Sequence, residues 1–250
     1  MINGLFAGAS AMSAFEQAIS STSNNIANVN TNGFKRSEID FQNLVYTGGD
    51  NQQIGLGAKS SAIVSRDFRQ GPAIVTDNPL DLFIGGDGFF RVQLADGDFA
   101  YTRDGAFLSD AEGNLVTEDG FTLAPEITLP ADTTSVTISP TGQVSVLTGS
   151  QPDTPQVLGQ IQLHQFVNPS GLRNIGRNLL EETGASGAPI TGTPGTGVFG
   201  QLRQGVVEGS NVEIVEELTD LIRAQRAFEV NSRAVQTTLQ ILDSAYQIVR

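Results

Sequence analysis

Leu5, Met12, Ile19 and Ile26 recur every seven residues near the start of the chain, with Phe15 and Val29 three residues beyond two of them. At the other end Ile214, Leu221, Phe228, Val235, Leu242 and Val249 repeat at seven, six times in succession. Leu218, Gln225, Ser232, Leu239 and Tyr246 are their companions. Two apolar positions per heptad make the seam of a coiled coil or a long bundle helix. Ser210-Asn211-Val212-Glu213 fits a capping box, so the second helix is expected from Ser210 to the end, about 39 residues or roughly 58 Å. Gln225 and Ser232 are polar seam positions that weaken the seam and set its register. The first helix is rich in Ala, Ser and Gly, which permit close approach of another helix but make it weak alone. Asn30-Thr31-Asn32-Gly33 is expected to end it, with Gly33 in a left-handed conformation.

Between the helices the period changes to two. Asp-Gly pairs fall at Asp87-Gly88, Asp96-Gly97, Asp104-Gly105 and Asp119-Gly120, with Glu112-Gly113-Asn114 between the last two. That spacing predicts short antiparallel strands joined by tight turns. The predicted strands are Phe89–Leu94, Phe99–Arg103, Ala106–Leu108, Leu115–Thr117 and Phe121–Leu123. Val136–Ile138 and Val144–Val146 flank Pro140-Thr141-Gly142 as a further hairpin, and Ile161–Phe166 alternates cleanly. Gly184 to Gly200 is expected to be a mobile loop. Gln201 to Glu208 is expected to be a last strand leading into the long helix.

The expected fold is therefore α+β, an antiparallel β-rich middle flanked by long terminal helices that form a coiled-coil-like pair. Its expected parts are a helix at 1–46, an extended connector at 47–80, a β domain at 81–209 and the long helix at 210–250. Gly and Pro agree with this division. All 10 Pro and 25 of the 28 Gly lie between residues 48 and 209. Charge agrees as well. The chain carries 14 Lys and Arg against 27 Asp and Glu, a net −13, of which residues 1–47 hold −1 and residues 210–250 hold −2. Nearly neutral ends can pack together while the acidic middle stays solvated. The same negative charge repels phosphate backbones, so no nucleic-acid partner is expected.

Cysteine is absent and there is one histidine, His164, which excludes disulfides, thiolate metal sites, thiol catalysis and multi-histidine centres. Asp96 with Asp98 and Asp110 with Glu112 are carboxylate pairs, but they occupy turn positions that favour Asp for backbone reasons. Asp110 to Asn114 lacks the ligand ladder of a calcium loop. Gly85 to Gly88 opens no helix and lacks the phosphate-binding spacing. His164 on an alternating strand reads as a structural histidine. No catalytic, cofactor-binding or metal-binding residue is expected. Met1 to Ala14 is apolar and small, yet the first basic residue is Lys35, unlike a secretory leader, so this segment is expected to be retained. A membrane-surface helix would carry Lys or Arg along its polar face, and neither terminal helix does.

Neither terminal stripe is satisfied by itself. The five-heptad seam exceeds what the short first helix can cover, so both are expected to pack against other copies. The expected assembly interface comprises Leu5, Met12, Phe15, Ile19, Ile26, Ile214, Leu218, Leu221, Gln225, Phe228, Val235, Leu239, Leu242, Tyr246 and Val249. The rival reading is a secreted glycan-binding or glycan-cleaving β protein with capping helices. It requires a concave site with converging acids or aromatics, whereas the strand aromatics here are scattered Phe suited to a core.

Ser23-Asn24-Asn25-Ile26-Ala27-Asn28-Val29-Asn30-Thr31-Asn32-Gly33-Phe34-Lys35-Arg36 resembles the N-terminal signature of bacterial flagellar rod and hook proteins. Glu208-Gly209-Ser210-Asn211-Val212 and Gln225-Arg226-Ala227-Phe228-Glu229-Val230-Asn231 are similar to the C-terminal signature. Gly88-Phe89-Phe90, Tyr101-Thr102-Arg103-Asp104-Gly105 and Ser186-Gly187-Ala188-Pro189 fit in between, in the family's order. Asn24, Asn25, Asn28, Gly33, Phe34, Ser210, Asn211, Arg226, Glu229 and Asn231 are the signature residues taken over. Leu239 stands where the family often has Asp. The length points to a rod subunit rather than the larger hook subunit, at the distal position before the proximal one. The resemblance implies a structural protein, not an enzyme, with no cofactor and no small-molecule substrate. It implies subunits exported unfolded through the flagellar type III apparatus without a cleaved signal. They would stack helically into a hollow rod that crosses the periplasm and carries torque to the hook. The partners implied are further copies, other rod and hook subunits and the export apparatus. The terminal helices would line the tube and the β domain would face outward.

Overall fold

The computed structural model describes residues 2–42 and 61–248. The chain divides into two compact units, one formed by residues 1–29, 36–67 and 212–250 and the other by residues 30–35 and 68–211. Helices are confined to the first unit, apart from one short 3-10 turn, and strands dominate the second, an α+β arrangement.

The first unit contains α1 (Ile2–Ala27), α2 (Ile214–Ile248) and an antiparallel ribbon of Ser37–Gln42 with Ser61–Arg66. α2 contains no Gly or Pro to interrupt it, and its 35 residues extend about 52 Å. It starts at Ile214, with the Glu217 amide donating to the Glu213 carbonyl at 3.0 Å. The expected start at Ser210 is thus corrected by four residues. Residues 206–208 are still strand, and the extended segment after them must end before a helical turn can close.

In the second unit every named strand pairs antiparallel. The largest sheet has seven strands in the order Arg173–Gly176, Leu179–Glu181, Phe99–Thr102, Phe90–Gln93, Thr122–Ala124, Leu115–Thr117 and Phe107–Ser109. A three-stranded sheet joins Thr133–Ile138, Gln143–Thr148 and Gln151–Gln160. Three further pairs join Leu163–Gln165 to Ile190–Gly192, Gln201–Gln204 to Leu82–Gly85, and Val206–Glu208 to Ala73–Val75.

The period-two pattern decides the core. Phe90, Phe107, Leu115 and Leu123 bury in a main cluster with Leu82, Ile84 and Ile161. Phe90 and Phe107 meet edge to face at 5.2 Å between centroids. Phe89 points the other way and joins Tyr101, Phe166, Leu172 and Leu180 in a second cluster. Successive residues alternate faces, so the centre of this sheet is covered on both sides.

Turns with glycine at positive φ close the hairpins at Gly97 (+89°), Gly113 (+90°), Gly120 (+84°) and Gly142 (+86°). Two Asp-Gly pairs do something else. Phe99–Thr102 and Phe107–Ser109 lie at separate places in the sheet, so Asp104-Gly105 links strands that are not neighbours. Asp87-Gly88 connects strands of different sheets. The stretch 184–200, expected to be a loop, includes the strand Ile190–Gly192, paired with Leu163–Gln165. The expected strand 161–166 narrows to Leu163–Gln165. The expected strand 201–208 is two strands hinged at Gly205, whose φ is +74°.

Candidate assembly surface

The N-terminal signature supplies two anchors. Asn28 caps the end of α1 by donating from Nδ2 to the Asn24 carbonyl at 2.8 Å. Residues 30–35 then belong to the β unit. The Gly33 amide donates to the Glu208 carbonyl at 2.7 Å, and Asn178 Nδ2 donates to the Asn32 carbonyl at 2.9 Å. Gly33 has φ +67°, and a Cβ there would meet the Asp104 nitrogen at 2.5 Å, so both conformation and space require glycine. Phe34 is buried beside it.

Lys35 reaches inward. Its Nζ lies 2.6 Å from Glu208 Oε1 and donates to the Arg69 carbonyl at 2.8 Å. The Gly71 amide also donates to Glu208 Oε1, at 2.9 Å, and Arg103 lies 3.5 Å from Oε2. All three charged side chains are buried. Arg103 further donates to the Gly86 carbonyl at 2.8 Å and stacks over Phe89 at 5.1 Å. Burial pulls its pKa down, and the Glu208 charge opposes that. Removing one member of such a group strands a desolvated charge.

In the helical unit Asn25, 1% exposed, performs the equivalent task. Its Nδ2 donates to the Ser37 carbonyl at 2.9 Å and to Glu217 Oε2 at 3.1 Å, and its Oδ1 accepts from the Ser37 amide at 2.9 Å. One carboxamide thus ties α1, the ribbon and α2 together. Arg36 adds Nε to Glu217 Oε1 at 2.5 Å and Nη2 to Asp220 Oδ2 at 3.4 Å. Burial lowers the Arg36 pKa, but the charges of Glu217 and Glu216 more than offset it, and the net direction is upward.

α1 and α2 meet through small residues. A Cβ at Gly8 would lie 2.5 Å from a Val235 methyl, and Asn231 Nδ2 donates to the Gly8 carbonyl at 2.7 Å. Leu221, Phe228 and Val235 are half-buried, as are Met12, Phe15, Ile19 and Ile26. The row beside them is Glu217, Ala224 and Asn231, three residues after each heptad position. The companions expected four residues after are turned outward: Leu218 is 44% exposed, Leu239 is 51%, and Gln225 is exposed, with Ser232 alone half-buried. A Gly- and Ala-rich α1 lets the backbones approach, and small or polar side chains fill that narrow seam better than leucine. Ile214 is also exposed. Of the signature residues, Asn24, Arg226 and Glu229 are exposed, Asn211 is half-buried and Ser210 is buried. The side chains of Leu5, Leu242 and Tyr246 and the whole of Val249 lie outside the described residues, as do residues 43–60 of the expected connector.

Glu217, Glu208, Arg103, Lys35 and Arg36 were not singled out by the sequence as site residues. The one available signal for Glu217 is that it falls three residues after Ile214, on the apolar side of a heptad. Glu208 and Arg103 carry no such mark.

No grouping suited to catalysis or metal binding forms among the described residues. Asp96, Asp98 and Glu112 are exposed at turns, and Asp110 accepts from the Asn114 amide at 2.6 Å to close its own turn. His164 is fully buried beside Tyr101, and desolvation, with the nearby Arg91 charge, pushes its pKa down to about 4. Burial, aided by Glu182, pushes Tyr101 up to about 12. No helix among the described residues is long and apolar enough to cross a membrane.

Three family models match along the chain: the flagella basal body rod protein at residues 5–35, the flagellar hook protein FlgE/F/G D1 domain at 83–146, and the flagellar basal body rod FlgEFG protein C-terminal region at 203–248. The flagellar basal-body rod protein FlgG of Buchnera aphidicola from Acyrthosiphon pisum is 43% identical over 99% of this chain and 100% of its own length. FlgG of Caulobacter vibrioides is 43% identical over 99% of both chains. FlgF of the same organism is 33% identical over 99% of this chain and 98% of its own. The first two matches exceed the third by ten points of identity over equal spans, so the resemblance is to FlgG before FlgF. The chain belongs to the flagellar basal-body rod protein family, as a FlgG-like structural protein and not an enzyme.

Proposed function

We propose that this chain is a structural subunit of the flagellar basal-body rod that polymerises helically through its terminal helices. Copies would build a hollow shaft at the distal position, crossing the periplasm and passing torque to the hook. Subunits would leave the cell interior through the flagellar type III apparatus without losing a leader, and would join other rod and hook subunits at the ends of the shaft. In this reading residues 1–46 and 210–250 form a coiled-coil-like inner wall, residues 47–80 connect, and residues 81–209 form the outer body. Residues 2–7, 43–60 and 242–250 would acquire neighbours in the assembly.

The observation that carries the reading is a folded helical pair whose large apolar side chains remain outside it. Val215, Leu218, Ile222, Val230 and Leu239 are all at least 44% exposed on one helix. That much exposed apolar surface on a single element marks an interaction site. Once packed between rigid helices such side chains deform little, which suits a shaft under torsion. The test is complementation of a rod-deficient strain with Phe228→Asp or Leu218→Asp. Loss of rods in isolated basal bodies, with both purified variants retaining their β-unit fold, is the expected result. Normal motility from both variants overturns the reading.

A further inference from the structure

One flank of the α1–α2 pair is grooved. Two clefts of about 340 Å³ and 420 Å³ run along it and share Phe15 and Ala227 in their walls. The apolar stretch is lined by Ala11, Val230 and Ala234 with Arg226 at its rim, and the other stretch has Arg223 and Arg36 among its polar residues. A different face of α2 carries Val215, Leu218 and Ile222, which are 72%, 44% and 49% exposed. Their spacing of three and four residues stacks them as a row of knobs on one face. Exposed Glu213 and Glu216 flank that row.

We propose that the Val215–Leu218–Ile222 row of one copy seats in the groove over Phe15, Ala227 and Val230 of the next copy. This rests on the reading of the chain as a self-assembling subunit and names the contact by which it would do so. The sizes agree, because each cleft admits two or more branched aliphatic side chains of roughly 100 Å³. The charges agree also, because the knobs are bordered by Glu213 and Glu216 while Arg223 and Arg226 border the groove. Complementary rims of this kind set register and suppress wrong partners.

Knobs and groove are different surfaces, roughly 120° apart around α2 at 100° per residue. A contact between unlike patches is heterologous and does not close on itself as a two-fold dimer does. From Leu218 to Val230 is twelve residues, so successive copies would advance about 18 Å along the helix. An open, polar stack is the consequence.

The chain has no cysteine, so introduced thiols report without background. Leu218→Cys and Val230→Cys, both at exposed positions, are purified as full chains, mixed and oxidised while light scattering follows association. The expected result is a mixed disulfide several-fold above either like pair, and a ladder of oligomers from a chain carrying both substitutions. Like and unlike disulfides in statistical proportion, while the unmodified chain still associates, overturn this contact and leave self-assembly standing. A chain that stays monomeric at every concentration overturns self-assembly and the contact with it. Crosslinking that occurs only when a different rod subunit is added assigns the groove to that subunit and overturns self-docking. Glu213→Arg or Arg226→Glu should each weaken association several-fold, and the two together should restore it.

Discussion

The Asn25 carboxamide donates to the Glu217 carboxylate at 3.1 Å across 192 residues of sequence, and the same side chain exchanges two hydrogen bonds with the Ser37 backbone. A signature residue near one end of the chain thus fastens the helix from the other end. The carboxamide suits this position because it supplies donor and acceptor at once, where a carboxylate or hydroxyl supplies less.

Asn25→Ala leaves both Ser37 backbone groups and one Glu217 oxygen without that partner. The expected loss is on the order of 2 kcal/mol, read as an earlier helical transition by circular dichroism and faster amide exchange at Ser37. Asn25→Asp should be worse at neutral pH, since it sets a second carboxylate beside Glu217. It should recover in part on acidification.

The buried cluster of Lys35, Arg103 and Glu208 makes an ordering prediction. Lys35→Met leaves Glu208 with the Gly71 amide and Arg103, whereas Glu208→Ala strands two buried cations. Glu208→Ala should therefore cost the full 3–5 kcal/mol or so typical of an orphaned buried charge, and Lys35→Met clearly less. Urea denaturation of the two variants side by side checks the order. Equal losses would mean that Arg103 contributes nothing to holding Glu208.

Gly33→Ala combines a positive φ with a Cβ 2.5 Å from the Asp104 nitrogen. The loss should exceed about 1 kcal/mol, the ordinary cost of the backbone conformation alone. Thermal melting of the variant beside the parent chain measures it.

Two groups in the β unit titrate against each other. His164 is held down to about 4, so below pH 6.5 the unfolded chain binds a proton that the folded chain refuses, and stability falls as pH falls toward 4. Asp104 is pushed up to about 6 by burial and by neighbouring acids, so between pH 6 and 3.8 the folded chain binds the extra proton and stability rises as pH falls. Each effect is worth about 3 kcal/mol and their windows overlap. The parent chain should therefore show a shallow pH dependence between 6 and 4. His164→Leu should become more stable, relative to its value at pH 7, on acidification to pH 4.5. Asp104→Asn should become steeply less stable over the same interval. Parallel profiles for the three proteins would refute the opposition.

The division into terminal helices and a turn-punctuated β middle was legible in the chain because it rests on local chemistry. Glycine and proline placement, a period of seven and a period of two each act over a few residues, and the strands around Gly97, Gly113, Gly120 and Gly142 formed where those signals lay. What joins what was not local. Asp104-Gly105 resembles a hairpin turn yet links strands that never pair, because strand order is decided by which apolar faces bury together.

The heptad of α2 stated that one face would be covered but not by what. Gly8 and its small neighbours on α1 selected Glu217, Ala224 and Asn231 as the partner row and left Leu218 and Leu239 outward. Side-chain size on the opposite helix made that choice, which periodicity within one helix does not encode. The buried charges depended most on tertiary structure. Glu208, Lys35 and Arg103 are unremarked polar residues in the sequence, and only the fold removes them from water together and so makes each indispensable to the others.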